Sequence, residues 1–278
     1  MSATRNPNLG PSVIRAKRRR LFLIRLLIVA FILLVIVFGS AILSGHEKVQ
    51  IQTITVSGNA AVPTDDILAI ANQALTGRYW QLFARSNSLI FPRFEIKNSL
   101  LQAIRTIKEV DISWTSWQEI NISITERKPH SVWCGDSPAH TEECFFVDKA
   151  GYVYAPAPTA FGNLFVRDYG FLTPGDPLGQ YYLALGTYVR VFNLIYSLDQ
   201  NNLKVIAVTY DGFDYRFVLD NKVEIIFNNK NDFDSSFTNL FSALANKSLD
   251  LVKDGASISY IDLRFDNKIV IGKKNPIK

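Results

Sequence analysis

The sequence predicts an α+β fold in which an N-terminal membrane-spanning helix precedes a small module of strands and helices and then a larger β-rich region. Three observations predict it. A long apolar stretch occupies residues 21–43. Segments that alternate apolar and polar residues recur through the rest of the chain, and segments with helical spacing of apolar residues separate them. With 278 residues, 48% of them hydrophobic, the chain is long enough for two modest cores.

The apolar stretch at residues 21–43 predicts a transmembrane helix. At about 1.5 Å per residue it is about 34 Å long, which exceeds a hydrocarbon core of about 30 Å. Arg25 is its single charge, and a side chain so near the start can reach the headgroups. A cleaved signal peptide is the alternative, because residues 39–41 are small, but the stretch is much longer than a usual signal core.

The basic residues of the N-terminus predict the topology. Seven positive charges precede the first acidic residue, Glu47, and leave 23 basic against 25 acidic residues in the remainder. Those seven are Arg5, Arg15, Lys17, Arg18, Arg19, Arg20 and Arg25. The positive-inside rule places residues 1–20 in the cytoplasm as a basic tail and residues 44–278 outside. Since the basicity is confined to this tail, no nucleic-acid partner is expected.

The elements that follow the anchor have the order β, α, α, β, β. VQIQTITVSGN, from Val49, reads as a strand that ends in a turn at Gly58. PTDDILAIANQAL reads as a helix that Thr64 caps, and EIKNSLLQAIRTI, through Ile107, as a second helix. An aromatic-rich connection, RYWQLFARSNSLIFPRF, joins them. EVDISWTS and EINISITER read as two strands.

The region after residue 127 is predicted to be β-rich with two helices. CFFVDKAGYVYAP contains two strands around a turn at Lys149 to Gly151. Residues 178–198 read as an amphipathic helix, and three strands follow in LKVIAVTY, DYRFVLD and KVEIIFN. A further helix at residues 232–249 directs apolar residues such as Phe237 and Leu240 inward. A terminal β-hairpin, YIDLRF and KIVIG around Asp266-Asn267, completes the set.

This order, with ITVSGN at its start and ITERKP at its end, resembles a POTRA domain. Together with the basic tail, the single anchor, the hairpin motif at Asp148, Gly151 and Val153, and the closing IDLRFDNKIVI, the chain resembles the FtsQ/DivIB family of bacterial cell-division proteins. The resemblance implies a POTRA domain at residues 48–126 and an FtsQ-type β domain at residues 127–278. In that β domain, helices would pack on one face of a single antiparallel sheet, with the last strand at or near its open end.

The two cysteines, Cys134 and Cys144, lie in a polar loop between two apolar β-like runs. Outside the cytoplasm such a pair predicts a hairpin disulfide. A zinc site with His130 and His140 is an alternative, although the spacing matches no compact zinc motif. A second alternative is a cysteine enzyme using Cys144 and His140, which lacks an evident third group. The third alternative is that both cysteines are free thiols. No catalytic, cofactor or metal site is predicted.

The terminal hairpin predicts a docking edge for a partner strand. A two-residue loop would place Leu263 opposite Val270, with Leu263 and Val270 inward and Ile269 and Ile271 outward. A three-residue loop would reverse the last strand and leave Val270 outside. The predicted partner-binding residues are Tyr260, Asp262, Arg264, Ile269, Val270 and Ile271. Blunting of the edge by Lys268, Lys273 and Lys274 is the alternative, but these lysines flank the strand and leave its middle bare.

The predicted function is that of a non-catalytic bitopic scaffold. The family resemblance implies partners among FtsB/DivIC-like and FtsL-like bitopic membrane proteins, a location in the cell membrane at the division septum, and a role in regulating septum formation. A membrane-anchored POTRA chaperone or adaptor for exported polypeptides is the alternative, because an edge strand can bind those chains too. Partner identity distinguishes the two functions.

Overall fold

The computed structural model describes residues 11–139, 143–159, 162, 164–228, 233–245, 257–265 and 268–273, and the side chains of all of these except residues 11–17 and 233–236. Within them the chain is α+β, with a long apolar N-terminal helix and a large β-sheet. It divides into two compact units. The first comprises residues 1–103 with 109–125, and the second comprises residues 104–108 with 126–278. The turn predicted at Asp266-Asn267 and the basic residue Arg5 lie outside the described residues.

The first unit begins with α1 (Pro11–Ser44). From Arg18 to Ser44 this helix is long and apolar enough to cross a membrane, and its most apolar stretch is not buried in the protein. A 3-10 turn, Glu47–Val49, follows. The other elements are β1 (Thr53–Ser57), α2 (Thr64–Leu75), β2 (Arg78–Tyr79), β3 (Phe83–Ala84), α3 (Arg93–Ala103), β4 (Ile107–Ser116) and β5 (Glu119–Glu126).

A three-stranded sheet and two helices form the core of this unit. The strand order is β1-β5-β4, and β1 runs parallel to β5. One side of the sheet and the inner faces of α2 and α3 supply fully buried side chains, including Ile67, Ile96, Leu100, Ile120 and Ile122. The short hairpin β2–β3 was not anticipated from the sequence, because the aromatic connection has no alternating pattern.

Two helix predictions in this unit need correction. The second helix ends at Ala103 instead of continuing through Ile107. Ile107 instead begins β4, where Ile107, Val110 and Ile112 are buried and the charged residues between them are exposed. Burial on a sheet therefore overrides helical spacing at this boundary. Thr64 is the first helical residue rather than the cap, which is Pro63.

The second unit is built around a nine-stranded sheet with the order β14-β13-β12-β11-β10-β9-β6-β7-β8. Its elements are β6 (Ser131–Trp133), β7 (Phe145–Val147), β8 (Val153–Pro156), β9 (Arg167–Gly170), α4 (Leu185–Gln200), β10 (Val205–Tyr210), β11 (Asp214–Leu219), β12 (Glu224–Asn228), α5 (Phe233–Ala245), β13 (Ile258–Phe265) and β14 (Lys268–Lys273).

The expectation of a purely antiparallel sheet is wrong, because the sheet is mixed. β9 pairs in parallel with both β6 and β10, and β13 pairs in parallel with β12. Parallel neighbours need a crossover connection, and α5 lies within the connection between β12 and β13. Two antiparallel hairpins, β7–β8 and β13–β14, form as the sequence patterns predicted.

Both helices contribute to one hydrophobic core on one face of this sheet. Tyr188 and Leu198 of α4 and Phe237 and Leu240 of α5 belong to the same buried cluster as the inward residues of the strands. Alternate residues of β11, Tyr215, Phe217 and Leu219, are fully buried in it. The predicted start of α4 at residue 178 is wrong. The helix begins at Leu185, since residues 179–182 bond instead to residues 151–153, where β8 begins.

Candidate functional site

The candidate site is the edge of the nine-stranded sheet formed by β14. β14 pairs with β13 on one side only, and no described strand pairs with its other side. In such a strand, alternate backbone N–H and C=O groups point away from the sheet and are free to bind another extended chain. We call this side of β14 the open edge.

The register of the terminal hairpin differs from the expectation. Phe265 pairs with Lys268 as predicted, but Val270 lies opposite Asp262 instead of Leu263, and Ile271 lies opposite Ile261. The shift arises from an irregularity between Asp262 and Phe265. The Asp262 carboxylate accepts a hydrogen bond from the backbone N–H of Arg264 at 3.0 Å, which diverts that group from the strand ladder.

The bulge determines which face each side chain occupies. Ile261, opposite Ile271, is fully buried in the core, and Ile269 packs against the same core. Val270 therefore shares the opposite, outer face with Asp262, and 39% of its surface is exposed. The longer-loop alternative predicted the outer position of Val270 and the inner position of Ile269, but it also buried Ile271, which is exposed. The observed faces follow from the bulge. The expectation that Ile269 and Ile271 lie on the face of Tyr260, Asp262 and Arg264 is wrong.

An ion-pair network holds the outer face beside the open edge. The Arg264 guanidinium donates to Asp262 Oδ2 at 2.6 Å and to Asp214 Oδ2 at 2.6 Å. Burial alone would raise the pKa of Asp262, but the hydrogen bonds and charge of Arg264 outweigh it and lower that pKa. The hydrogen bonds to Asp262 and Asp214 raise the pKa of Arg264. Asp262 and Arg264 thus serve each other as structural partners, and no sequence pattern indicated the role of Asp214.

Tyr260 lies across Gly272 on the neighbouring strand. A Cβ atom on Gly272 would fall 2.2 Å from Cε1 of the Tyr260 ring, so the ring occupies the space that a side chain would need. The two residues are directly paired between β13 and β14. The glycine therefore lets an aromatic ring cover the strand next to the open edge.

The opposite edge of the sheet, at β8, is covered where that strand begins. The N–H of Val153 donates to the Gln180 carbonyl at 2.9 Å, and the Val153 carbonyl accepts from the N–H of Gly179 at 2.8 Å. We call residues 178–182 the covering loop. β8 also ends in Pro156, which has no N–H to offer. We call this side of β8 the covered edge.

The cysteine pair lies beside β6 and β7, toward the covered edge. Cys134 and Cys144 are joined by a disulfide, and no described cysteine is free. His140, which the zinc and enzyme alternatives both need, lies outside the described residues. His130 packs on the Phe192 ring with centroids 4.3 Å apart, and burial lowers its pKa. Among the described residues, no group of three His, Cys, Asp or Glu could hold a metal ion.

A buried polar cluster in the middle of the sheet was not anticipated from the sequence. Asp168 on β9 is fully buried and accepts a hydrogen bond from the Ser131 hydroxyl, which lies 2.9 Å from the Tyr188 hydroxyl. Its other oxygen has no hydrogen-bond partner among the described residues. Burial raises the pKa of Asp168 to about 8 despite the Ser131 hydrogen bond. With no exposed surface, this group cannot reach a substrate.

A shallow cleft of about 260 Å³ lies on the second unit beside α4. Apolar residues such as Val166, Phe192 and Ile195 form most of its lining, and Asp199 and Lys204 contribute opposite charges. The cleft therefore has no single charge preference.

Comparison with known proteins gives no match: no protein-family model matches the chain, and no curated protein matches it. The sheet edges, the ion-pair network and the apolar helix are therefore the features on which a functional assignment depends.

Proposed function

We propose that this chain is a non-catalytic, single-pass membrane scaffold of the bacterial divisome, in which the open edge at β14 recruits FtsB/DivIC-like and FtsL-like bitopic proteins. In this proposal α1 is the anchor, residues 1–20 lie in the cytoplasm, residues 48–126 are a POTRA domain, and both units act outside the membrane at the septum. The resemblance to the FtsQ/DivIB family motivates the choice of partners.

The observation that carries the proposal is the contrast between the two edges of one sheet. The covered edge has its Val153 backbone groups satisfied by the covering loop. At the open edge, Val270 and Ile271 are 39% and 41% exposed, and no described residue pairs beyond them. Lys268 and Lys273 are exposed at the two ends of β14, so charges flank an apolar centre. An extended partner segment could add one strand there through main-chain hydrogen bonds.

The alternative proposal, a POTRA chaperone or adaptor for exported polypeptides, uses the same edge. Main-chain pairing accepts many sequences, so the edge alone supports a general peptide binder as well. The two functions differ in the number of partners. Photo-crosslinking from β14 in cells should yield one dominant bitopic membrane protein for the scaffold and many exported chains for the chaperone.

The decisive experiment removes backbone donors from β14 one at a time. Adjacent residues of a strand direct their N–H groups to opposite sides, so one of Val270 and Ile271 donates toward β13 and the other points away from the sheet. We expect one of the variants Val270→Pro and Ile271→Pro to fold with nearly unchanged stability and to lose partner recovery. The other variant should be destabilised, because it loses a hydrogen bond within the hairpin.

The matched controls are Val270→Ile and Ile271→Val, which keep the backbone donor and the β-branched shape. Both should recover the FtsB/DivIC-like partner as the wild-type chain does. Circular dichroism and thermal unfolding identify which proline variant remains folded. Wild-type partner recovery by that folded proline variant would exclude the open edge as the docking site.

A further inference from the structure

The connector, residues 78–94, packs directly against the end of α1. The N–H of Ala84 donates to the Ser44 hydroxyl at 3.1 Å, and the Asn87 side-chain amide donates to the Ser44 carbonyl at 3.2 Å. Ser44 and Asn87 are both buried. Two further backbone hydrogen bonds, Ile51 N–H to Ser86 and Ser88 N–H to Val49, hold the chain just after the helix to the same segment. The connector is thus fixed at the level where α1 ends.

The connector exposes large apolar side chains at this level. Trp80 is 86% exposed, Leu89 70% and Phe94 81%, and Ile90 is also exposed. Leu89 and Ile90 lie two and three residues beyond the buried Asn87. Exposed apolar side chains are common one at a time, but four of them within residues 80–94 are a concentration that favours an apolar partner.

The backbone that presents Trp80 is strained. Trp80 and Gln81 both have positive φ, at 47° and 62°, and the N–H of Leu82 donates to the Tyr79 carbonyl at 2.9 Å. This is the geometry of a two-residue hairpin turn for which asparagine and glycine are preferred. A tryptophan in that position is disfavoured by its Cβ, so the turn holds a bulky ring outward against its intrinsic preference.

The positive charge of the connector favours an anionic partner. Its sequence, RYWQLFARSNSLIFPRF, contains three arginines and no acidic residue. Arg85 pairs with Glu95, whereas Arg78 and Arg93 are exposed. Tryptophan with flanking arginine is typical of protein surfaces at the membrane–water interface, where the ring sits among headgroups and the cation meets anionic lipid.

We propose that the connector is a second membrane contact: Trp80, Leu89, Ile90 and Phe94 insert into the interfacial region of the bilayer beside the point where α1 emerges. This inference rests on the membrane anchoring by α1 in the proposed function. It adds that the first unit is held against the lipid surface by its own side chains rather than by the helix alone. The occupant of this apolar surface is lipid, with anionic headgroups facing Arg78 and Arg93.

The test uses the full chain in vesicles of phosphatidylcholine and phosphatidylglycerol whose acyl chains are brominated near the headgroup. Bromine quenches tryptophan fluorescence at short range, so Trp80 should be quenched in brominated vesicles relative to unbrominated ones. If Trp80 lies in the interface, it contributes most of the quenching of the wild-type chain. The variant Trp80→Phe should therefore lose at least about half of that quenching. Equal quenching of the wild type and Trp80→Phe would overturn the proposal.

A second measurement avoids dependence on one tryptophan. A spin label is attached at Leu89→Cys and, as the matched control, at Asp65→Cys. Each label reports how readily two agents reach it: oxygen, which concentrates in lipid, and a water-soluble nickel complex. Asp65 is exposed at the start of α2, which β1 separates from the end of α1. The label at position 89 should be more accessible to oxygen, and the label at position 65 should be more accessible to the nickel complex. Identical profiles at the two positions would also overturn the proposal.

These outcomes separate this inference from the proposed function. A chain that resists alkaline extraction from membranes but shows no quenching at Trp80 refutes the membrane contact and leaves the scaffold intact. Strong quenching with no partner recovered at the open edge refutes the docking function and leaves the membrane contact intact. Release of the whole chain by alkaline extraction refutes both.

Discussion

The two edges of the nine-stranded sheet are built in opposite ways. At the covered edge, β8 is short, its first two residues are buried, it ends in Pro156, and Val153 donates one hydrogen bond to the covering loop and accepts one from it. At the open edge, β14 is six residues long, contains no proline and has no described strand or loop hydrogen-bonded beyond it. One edge of the sheet is thus protected by a loop and a proline, whereas the other has only the flanking lysines Lys268 and Lys273 and the neighbouring bulge.

The covered edge is reinforced by a disulfide and ion pairs, as the open edge is by the Arg264 network. A disulfide lies beside β6 and β7, and Arg127 pairs with the largely buried Asp148 in the turn before β8. The covering loop is itself held by Arg105, which donates to the Leu178 carbonyl and pairs with Asp176 at 3.2 Å. These contacts show that the exposure of β14 does not follow from a general lack of stabilising contacts in this unit.

The largest expected effect is a difference in crosslinking between the edges. A photo-crosslinking residue at Val270 should capture a partner at least about tenfold more efficiently than one at Ala155 of β8. The measurement is the yield of crosslinked product in intact cells, normalised to the amount of each variant. Similar yields at the two positions would remove the functional distinction between the edges.

The next effect concerns the disulfide near the covered edge. Replacing Cys134 and Cys144 with alanine should lower the free energy of unfolding by about 2 to 3 kcal/mol, because a loop of about ten residues is no longer closed in the unfolded chain. Chemical denaturation measures it. Intact mass should rise by two hydrogens when the wild-type chain is reduced. Partner recovery at β14 should not change, and a parallel loss of recovery would mean that the two edges are coupled.

A smaller effect is expected when the covering loop is disturbed. Gly179 has φ of 91°, and a Cβ there would lie 3.1 Å from the Arg105 guanidinium that holds this loop, so Gly179→Ala should destabilise by about 1 to 3 kcal/mol through both strain and this contact. Gly175→Ala, also at positive φ but with no atom near its added Cβ, is the matched control. Hydrogen exchange at the Val153 amide should accelerate in Gly179→Ala and remain slow in Gly175→Ala. Equal exchange in the two variants would show that the loop does not protect β8.

The smallest effect is expected at Gly272 beside the open edge. In Gly272→Ala the Tyr260 ring must swing away from the new Cβ, but the ring is partly exposed and can move, so the stability change should stay below about 1 kcal/mol. Partner affinity should change more than stability if Tyr260 contacts the bound strand. Isothermal titration and thermal unfolding of the same variant test this, and unchanged affinity would place Tyr260 outside the docking surface.

The periodicity of apolar residues predicted most elements of the fold. It did not predict which distant strands pair with each other. The apolar runs at β10 and β12, the alternation along β11 and the helical spacing of α2 predicted those elements, because each element contributes apolar side chains to a core. The parallel partners of β9 and β13 could not be predicted, since side-chain alternation does not report strand direction. The covering loop was mistaken for part of α4, because its apolar residues happen to continue the helical spacing.

At the candidate site, too, the local sequence predicts the elements but not the contacts between segments. The presence of a terminal hairpin with an exposed last strand follows from two apolar runs around a short polar loop. Its register depends on the Asp262 carboxylate capturing the N–H of Arg264, a bond that no hydrophobic pattern encodes. Burial of Asp168 beside Ser131 likewise depends on β6 and β9 becoming neighbours across the sheet.

The parallel strand pairs also have a consequence for folding kinetics. β6–β9, β9–β10 and β12–β13 each join segments that are far apart in sequence, such as Ile225 with Ile261. Closing such long loops costs entropy before any contact is gained, so folding of this unit is expected to be slow, in the range of about milliseconds to seconds. During that interval the apolar strands of the centre are unpaired and prone to aggregate. The parallel pairings of the finished sheet therefore make folding the stage at which this protein is most prone to aggregate.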